Sequence, residues 1–229
     1  NNISLDLELF SKVKAVYELN EDLTVEEKRV LEKHYKSFVR NGALLNDDQK
    51  NQIRSIDEEM AKLDNKFTEN VRLANNAYSL VIEDDKDLEG MPAGVIEAAA
   101  GAAKERDLLG KWVFTLDYPS IGPFLQYCQN RDLREKMAKA SGSKAFGGEF
   151  DNTGNVKRML ELKDERAKLL GYKNHSYFIL EERMAKTPET VLEFLGKLHE
   201  KAQPATGTEL KKLIVLKTEV TGDSAFKSW

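Results

Sequence analysis

Residues 46–76 decide the fold of this chain and read NDDQKNQIRSIDEEMAKLDNKFTENVRLANN. Their apolar side chains recur at steps of three or four: Ile53, Ile56, Met60, Leu63, Phe67, Val71 and Ala74. This spacing places them on one face of an α-helix, whereas a half-buried strand would show strict alternation. A helix of about 30 residues is about 45 Å long, so we expect several shorter elements to pack along it.

The amino-terminal end of this helix carries a capping pattern. Asn46 can accept a hydrogen bond from the first turn, and Gln49 can bond back to the backbone of Asn46. Asp47 and Asp48 add negative charge at the positive end of the helix dipole. The sequence therefore predicts a helix that begins immediately after Asn46.

The rest of the chain is predicted to be helical apart from one β ribbon. Short, β-branched stretches at about 78–83 and 112–117 predict two strands that pair on a helical body. Alanine-rich residues 92–106 and charged residues 131–140 predict two further helices. The predicted fold class is mainly α, a multi-helix domain with one long helix at about 46–76 and a small two-stranded ribbon.

Proline residues set other predicted boundaries. Residues 117–123 are predicted to form a turn, with Pro123 in the first turn of a helix that runs to about Cys128. Pro188 follows a capping threonine and begins the last long helix. Pro204 is predicted to end or kink that helix, because proline lacks the N–H that the helix interior requires.

Composition limits the classes of function. The chain has 229 residues, of which 41% are hydrophobic and 32% charged, with a net charge of -4. This describes one or two globular domains and gives no reason to expect nucleic acid as a partner. No apolar run approaches the roughly 20 residues of a membrane helix, so no membrane partner is expected. Cys128 is the single cysteine, so no internal disulfide is possible.

The ends of the chain suggest that it is part of something longer. It begins at Asn1 without a methionine, within helical periodicity, and stops at Trp229. We therefore expect an excised piece, whose parent protein could carry targeting signals that this sequence does not show.

The sharpest chemical signal is an incomplete motif at residues 199–203, which read HEKAQ. In zinc peptidases two histidines four residues apart bind the metal and the intervening glutamate activates water. Gln203 stands where the second histidine would be, and a neutral amide is a poor zinc ligand. We interpret His199 as a surface or packing residue and His34, beside a predicted apolar stripe, as structural.

Residues 141–154 form the clearest irregular stretch and contain four glycines. A phosphate-binding loop is one interpretation, but the Walker spacing and a preceding strand are both lacking. A helix-to-helix connection is favoured. Carboxylate pairs such as Glu58 and Glu59 are typical of solvated helix faces, so the residues alone predict no catalytic, metal-binding or substrate-binding side chain.

Several short stretches, in order, resemble one family. They are FVRNGALL (38–45), LEGMP (88–92), GKWVFTLD (110–117), NRDLRE (130–135), FDNT (150–153), AKLLGY (167–172) and RMAKTP (183–188). They resemble the amino-terminal half of the M3 zinc oligopeptidases, the group of thimet oligopeptidase, oligopeptidase A and peptidyl-dipeptidase (dipeptidyl carboxypeptidase). The sequences of these stretches are most similar to those of the bacterial peptidyl-dipeptidase branch. The expected compartment is therefore the bacterial cytoplasm or periplasm.

The resemblance implies a function for the intact enzyme and a limited role for this region. In the family the HExxH zinc helix and the other catalytic residues lie further toward the carboxyl end, so no family site residue transfers to a position here. The intact enzyme would use zinc to hydrolyse short peptides, releasing carboxy-terminal dipeptides. Residues 1–229 would be one helical wall of the substrate channel, and the missing catalytic half would be their partner.

Two other classes of function remain open at this stage. One is a free-standing helical binding or scaffold domain, which an encoded stop codon directly after Trp229 would favour. The other is a self-contained enzyme that uses the loop at 142–154 for phosphate. Under the peptidase interpretation, the isolated chain hydrolyses nothing and binds no stoichiometric zinc.

Overall fold

The computed structural model describes residue 3, residues 6–19 and residues 22–229. Its helices are, in chain order, α1 (Leu7–Leu19), α2 (Val25–Arg40), α3 (Asp47–Ala77), α4 (Ala93–Lys104), α5 (Tyr118–Tyr127), α6 (Arg131–Gly142), α7 (Thr153–Leu169), α8 (His175–Leu180) and α9 (Pro188–Thr221). Strands β1 (Leu80–Ile82) and β2 (Trp112–Phe114) and a 3-10 helix (Asp85–Leu88) complete the described elements. The predicted mainly α class is confirmed.

The chain forms two compact units. Unit 1 contains the described residues up to Asn65 together with Asn155–His199, and unit 2 contains Lys66–Gly154 and Glu200–Trp229. The interpretation of residues 1–229 as a single region of an M3-type peptidase stays a prediction. None of the helices that the structure describes combines the length and apolar character needed to cross a bilayer.

The long helix α3 is confirmed, and so is the cap that begins it. The backbone N–H of Asn46 donates to Gln49 Oε1 at 3.2 Å, and the N–H of Gln49 donates to Asn46 Oδ1 at 2.9 Å. These reciprocal bonds satisfy two backbone donors that a bare helix end leaves open. The side chain of Ile53 is completely buried and Ile56 is nearly so, as the stripe predicts.

Unit 1 contains a small aromatic cluster between α1 and α2. The ring of Phe10 lies 5.7 Å from that of Phe38 and 5.9 Å from that of Tyr35. Tyr17 stacks on Tyr35 with ring centroids 4.0 Å apart. Because aromatic rings bury large apolar areas, this cluster holds the two helices together.

The core of unit 2 is built around the ribbon. Strands β1 and β2 pair antiparallel, with Val81 opposite Val113, so the predicted ribbon is confirmed with shorter strands. Phe114 on β2 and Phe124 on α5 are almost completely buried, and their ring centroids lie 4.6 Å apart. Helices therefore cover the ribbon, as two strands need for stability.

Gly90, in the LEGMP stretch, shows why that stretch requires glycine. Its φ is +86°, and a Cβ there would lie 2.5 Å from the carbonyl oxygen of Tyr127. The N–H of Gln129 donates to the carbonyl of neighbouring Glu89 at 3.1 Å. The backbones approach too closely at this point for any side chain.

One boundary prediction based on proline is wrong, and of the two outcomes predicted at Pro204 the helix end is excluded. The turn predicted at 117–123 is helical, since α5 begins at Tyr118 with Pro119 in its first turn and Pro123 in its interior. The first turn has no internal N–H bonds to lose, so Pro119 fits there. Pro204 does not end the last helix, because α9 continues to Thr221. The surrounding residues are exposed, so water can bind the backbone carbonyl that Pro204 leaves without a helical partner.

Candidate functional site: a groove in unit 1

The incomplete HEKAQ motif lies in the middle of α9, and both His199 and Gln203 are exposed. Within residue 3 and residues 6–19 and 22–229, no group of three or more His, Cys, Asp or Glu side chains is arranged to hold a metal ion. An amide at position 203 is a poor donor to zinc. The described residues therefore do not fit the zinc site that the HExxH pattern would build.

The other two histidines lie outside any candidate site. His34 is exposed on α2, beside the apolar stripe of that helix, and its interpretation as a structural residue stays a prediction. His175 begins α8 and lies 6.2 Å from Phe178, measured between ring centroids. Partial burial lowers the pKa of His175, and the charges of Lys163 and Arg166 lower it further. At neutral pH this imidazole is neutral and contributes to packing.

In the glycine-containing loop before α7, the carboxylate of Asp151 accepts hydrogen bonds from the loop's own N–H groups. Asp151 Oδ1 accepts hydrogen bonds from the N–H groups of Gly147 at 2.9 Å and Thr153 at 3.0 Å, and from the Thr153 hydroxyl at 2.7 Å. These bonds, the one from Gly147 first, lower the pKa of Asp151. A phosphate would need the same N–H groups and would meet a negative charge, so the geometry favours a structural connection.

The neighbouring residue, Asn152, ties this loop to α3 within unit 2. Its side-chain NH₂ donates to the carbonyl of Phe67 at 3.0 Å, and its oxygen accepts from Asn70 at 3.0 Å. Asn152 is 3% exposed, and a buried amide with both ends bonded fixes a local conformation. The FDNT stretch therefore has a structural explanation.

Unit 1 contains a groove of about 660 Å³ between α3 and α7. Its wall on α3 carries the polar side chains Gln49, Gln52 and Ser55. The full lining is Gln49, Gln52, Ser55, Ile56, Glu59, Arg158, Leu162, Glu165, Lys168 and Leu169. Ligand sites commonly combine an apolar lining with a few fixed polar groups, and this groove has both.

One end of the groove is organised by Arg158. Its guanidinium donates to both carboxylate oxygens of Glu59, at 2.7 and 3.0 Å, and to Glu165 at 3.0 Å and Glu161 at 3.3 Å. These bonds from Arg158 hold the pKa of Glu59 below its ordinary value. The bidentate geometry fixes α7 against α3 at this point, so this end of the groove is formed without a bound ligand.

A second contact between α3 and α7 lies deeper in unit 1. Arg166 donates to Asp57 at 2.8 Å and to the side chain of Asn41 at 3.3 Å. The charged groups of Arg166 and Asp57 are only 17% and 26% exposed. Because water screens this pair only in part, it holds the helix spacing more firmly than a surface pair would.

The groove is suited to binding rather than to catalysis. Gln52 and Ser55 make no side-chain hydrogen bond to another described residue, so their donors and acceptors are available to a ligand. Amide and hydroxyl groups can pair with the N–H and C=O of a peptide backbone. The lining contains no histidine, and Arg158 holds the carboxylates of Glu59 and Glu165 through hydrogen bonds.

The sequence alone did not point to these groove residues. A weak signal existed on α3, where Gln49, Gln52 and Ser55 are uncharged polar residues three apart in a helix otherwise rich in charge. That spacing places them on one side of the helix. The other wall lies on α7, which no local pattern could place opposite them.

Comparison with known proteins identifies the family. Residues 124–229 match the model of peptidase family M3. Over its whole length the chain is similar to the dipeptidyl carboxypeptidase of Escherichia coli (strain K12), with 30% identity. The chain belongs to peptidase family M3.

Two other relatives agree with the M3 assignment. The probable cytosolic oligopeptidase A of Arabidopsis thaliana is 35% identical over 83% of the chain, and the oligopeptidase A of Haemophilus influenzae is 32% identical over 84%. The matched regions cover 28% and 29% of these two proteins and 34% of the dipeptidyl carboxypeptidase. The chain thus spans about a third or less of the length of the curated M3 relatives it matches.

Proposed function

We propose that this chain is part of a zinc-dependent M3 peptidase that hydrolyses short peptides and that unit 1 supplies part of its substrate channel. Family membership carries the proposal, and the groove between α3 and α7 supports it. A wall lined by Gln52 and Ser55 can bind an extended peptide, while the zinc and its ligands would come from polypeptide outside these 229 residues.

We further propose that the enzyme releases dipeptides from the carboxyl end of its substrates. The relatives include oligopeptidases as well as a dipeptidyl carboxypeptidase, so their names alone leave the cleavage position open. What supports dipeptide release is the presence of dipeptidyl carboxypeptidases among the relatives, of which the one from E. coli aligns over 100% of the chain at 30% identity.

The test uses the longer polypeptide that the source gene would encode. Purified protein is incubated with a peptide of about ten residues, either with a free carboxyl terminus or with an amidated one, and products are followed by mass spectrometry. We expect stepwise loss of dipeptides from the free peptide and strongly reduced cleavage of the amidated one. Internal cleavage of both peptides at equal rates would contradict the release of carboxy-terminal dipeptides. No hydrolysis of either peptide would contradict the proposed peptidase activity.

The role of the groove is tested in the same protein with Gln52→Ala. Because this side chain is proposed to contact the peptide backbone without taking part in chemistry, we expect KM to rise several-fold and kcat to change little. Asn51→Ala is the matched control, an exposed amide on the adjacent position of α3 that does not line the groove. Equal effects of the two variants would exclude a specific contact at Gln52.

A further inference from the structure

Unit 2 contains a pocket of about 410 Å³, which lies where the last turn of α3 and the end of α6 meet the loop that follows α6. Small apolar side chains form part of its lining: Ala74, Ala77, Ala140 and Ala145. The side chains of Tyr78, Lys144 and Glu149 add polar groups to the same space. Pockets that bind small molecules usually have this composition and a volume of about 300–1,000 Å³.

Lys144 brings to this pocket a positive charge that no described carboxylate neutralises. Its ammonium group donates to Asn75 Oδ1 at 3.0 Å, and it forms no ion pair within residue 3, residues 6–19 and residues 22–229. Asn75 Nδ2 donates in turn to Asp117 Oδ1 at 2.7 Å, so the neutral amide is held in place and orients the ammonium without cancelling its charge. Because an ammonium group has three N–H donors, two of those on Lys144 are left for a ligand.

The hydroxyl group of Tyr78 is a second available donor. It makes no hydrogen bond to any residue that the structure describes. Partial burial raises the pKa of Tyr78, so the phenol keeps its proton at neutral pH and can donate it. A carboxylate has two oxygens that accept hydrogen bonds, and those from charged donors are the strongest. The ammonium of Lys144 and the hydroxyl of Tyr78 therefore suit a ligand carboxylate.

Glu149 supplies the opposite charge in the same pocket. Its side chain is exposed, and it pairs with no cation in the described part of the chain, Lys144 included. Unpaired charges of both signs in one pocket fit a zwitterion, a ligand that carries both a carboxylate and an ammonium group. Free amino acids and short peptides belong to this class, and the alanines of the lining leave room for small apolar side chains.

We propose that this pocket of unit 2 binds a dipeptide, with its carboxylate on Lys144 and Tyr78, its amino group on Glu149 and its side chains against the alanines. The choice of a dipeptide rests on the proposed function, because a dipeptide is the product that the peptidase would release. The pocket shares no lining residue with the groove of unit 1. It is therefore a second binding site on the chain.

Isothermal titration calorimetry of the 229-residue chain with the dipeptide alanyl-leucine tests the pocket. The same dipeptide with an amidated carboxyl group, or with an acetylated amino group, tests each charged contact. We expect one alanyl-leucine to bind per chain and each blocked form to bind about tenfold more weakly, because each loses a hydrogen bond between charged groups. Absence of saturable alanyl-leucine binding would overturn the proposal. Inorganic phosphate that bound as tightly as the dipeptide would overturn it in favour of a general anion site.

Substitutions then locate the bound dipeptide. Lys144→Met removes the ammonium group and should weaken binding about tenfold, and Tyr78→Phe keeps the ring and should weaken it several-fold. Lys136→Met is the matched control, an exposed lysine of α6 that does not line the pocket, and it should bind as the wild type does. Equal affinities of Lys144→Met and Lys136→Met would overturn the proposal. Weakened binding in Gln52→Ala instead would place the dipeptide in the groove and overturn it too.

The titration is independent of peptide hydrolysis. Binding that requires Lys144, together with a longer polypeptide that cleaves no peptide, would support this inference and contradict the proposed function. Release of dipeptides by the longer polypeptide, without binding of alanyl-leucine to the 229-residue chain, would do the reverse.

Discussion

Arg40 connects several parts of unit 1 through one side chain. Its guanidinium contacts the carboxylate of Glu181, donates to the carbonyl of Phe178 at 2.6 Å and to the hydroxyl of Tyr172 at 3.2 Å. It also lies over the ring of Phe178, 4.4 Å from the centroid. Only 16% of the Arg40 side chain is exposed. It is the Arg of the FVRNGALL stretch, so this motif residue has a structural role.

Replacing Arg40 should destabilise unit 1. We expect Arg40→Met to lower the free energy of unfolding by about 1–3 kcal/mol, because it leaves partly buried acceptors without a donor. Urea unfolding followed by circular dichroism measures the change. Arg29→Met is the control, since Arg29 pairs with Glu32 on an exposed face, and it should change stability by less than about 0.5 kcal/mol. Equal losses would contradict the structural role of Arg40.

The hydrogen bonds from Arg158 to Glu59 lead us to expect that the stability of unit 1 depends on pH. The pKa of Glu59 is lower in the folded chain than its ordinary value. A carboxyl group with a lowered folded pKa contributes stability above its unfolded pKa and loses that contribution as pH falls through the folded pKa. The contribution should therefore be complete at neutral pH and disappear in acid.

We compare the stability of the wild-type chain with that of Arg158→Gln as a function of pH. We expect the wild type to be more stable at pH 7 and the difference to shrink steadily below about pH 4.5, where the unfolded glutamate becomes protonated. Thermal unfolding between pH 3 and pH 7 measures it. A stability difference that stayed constant over this range would show that the Glu59 charge does not contribute.

At their ends, helices of this chain follow local capping rules, but the interior of α9 contains a proline. Helix α2 begins with a capping box, in which Thr24 and Glu27 are bonded reciprocally. Gly42, at φ +98°, follows the end of that helix. Proline usually ends or kinks a helix, but α9 continues through Pro204.

The cost of this proline can be measured. We expect Pro204→Ala to raise the melting temperature of the chain, because alanine is favoured over proline by about 3 kcal/mol in a helix interior. Pro188→Ala is the matched control at the first position of the same helix, where proline is tolerated and little change is expected. Differential scanning calorimetry of both variants decides it. A Pro204→Ala melting temperature at or below the wild-type value would contradict the prediction.

At the scale of the whole molecule, the described side chains support binding and provide no metal-binding cluster of His, Cys, Asp or Glu. We predict that the 229-residue chain alone hydrolyses no peptide and holds no stoichiometric zinc, because Gln203 replaces the second histidine of the HExxH pattern. Atomic absorption of purified protein and a fluorogenic peptide assay measure both properties. One tightly bound zinc per chain would contradict this prediction.

The sequence by itself determined the helical class, the long helix, its cap and the two strands, because each of these depends on residues within a few positions of one another. The resemblance of short ordered stretches also indicated the M3 family before the comparisons confirmed it. The start of α5 was predicted wrongly, at Pro123 instead of Tyr118, because Pro119 also fits the first turn of a helix. The predicted alternatives of an end or a kink at Pro204 were narrowed by the structure, in which α9 continues to Thr221.

Only the tertiary structure decided the groove and the uncovered face of α9. Arg158 and Glu59 are 99 residues apart in the chain, so no local periodicity could reveal that they meet. Val191, Leu195 and Leu198 of α9 recur at helical spacing in the sequence, but periodicity shows only which residues share a face and not whether anything covers it. Burial depends on contacts between distant segments, and those contacts exist only in the folded chain.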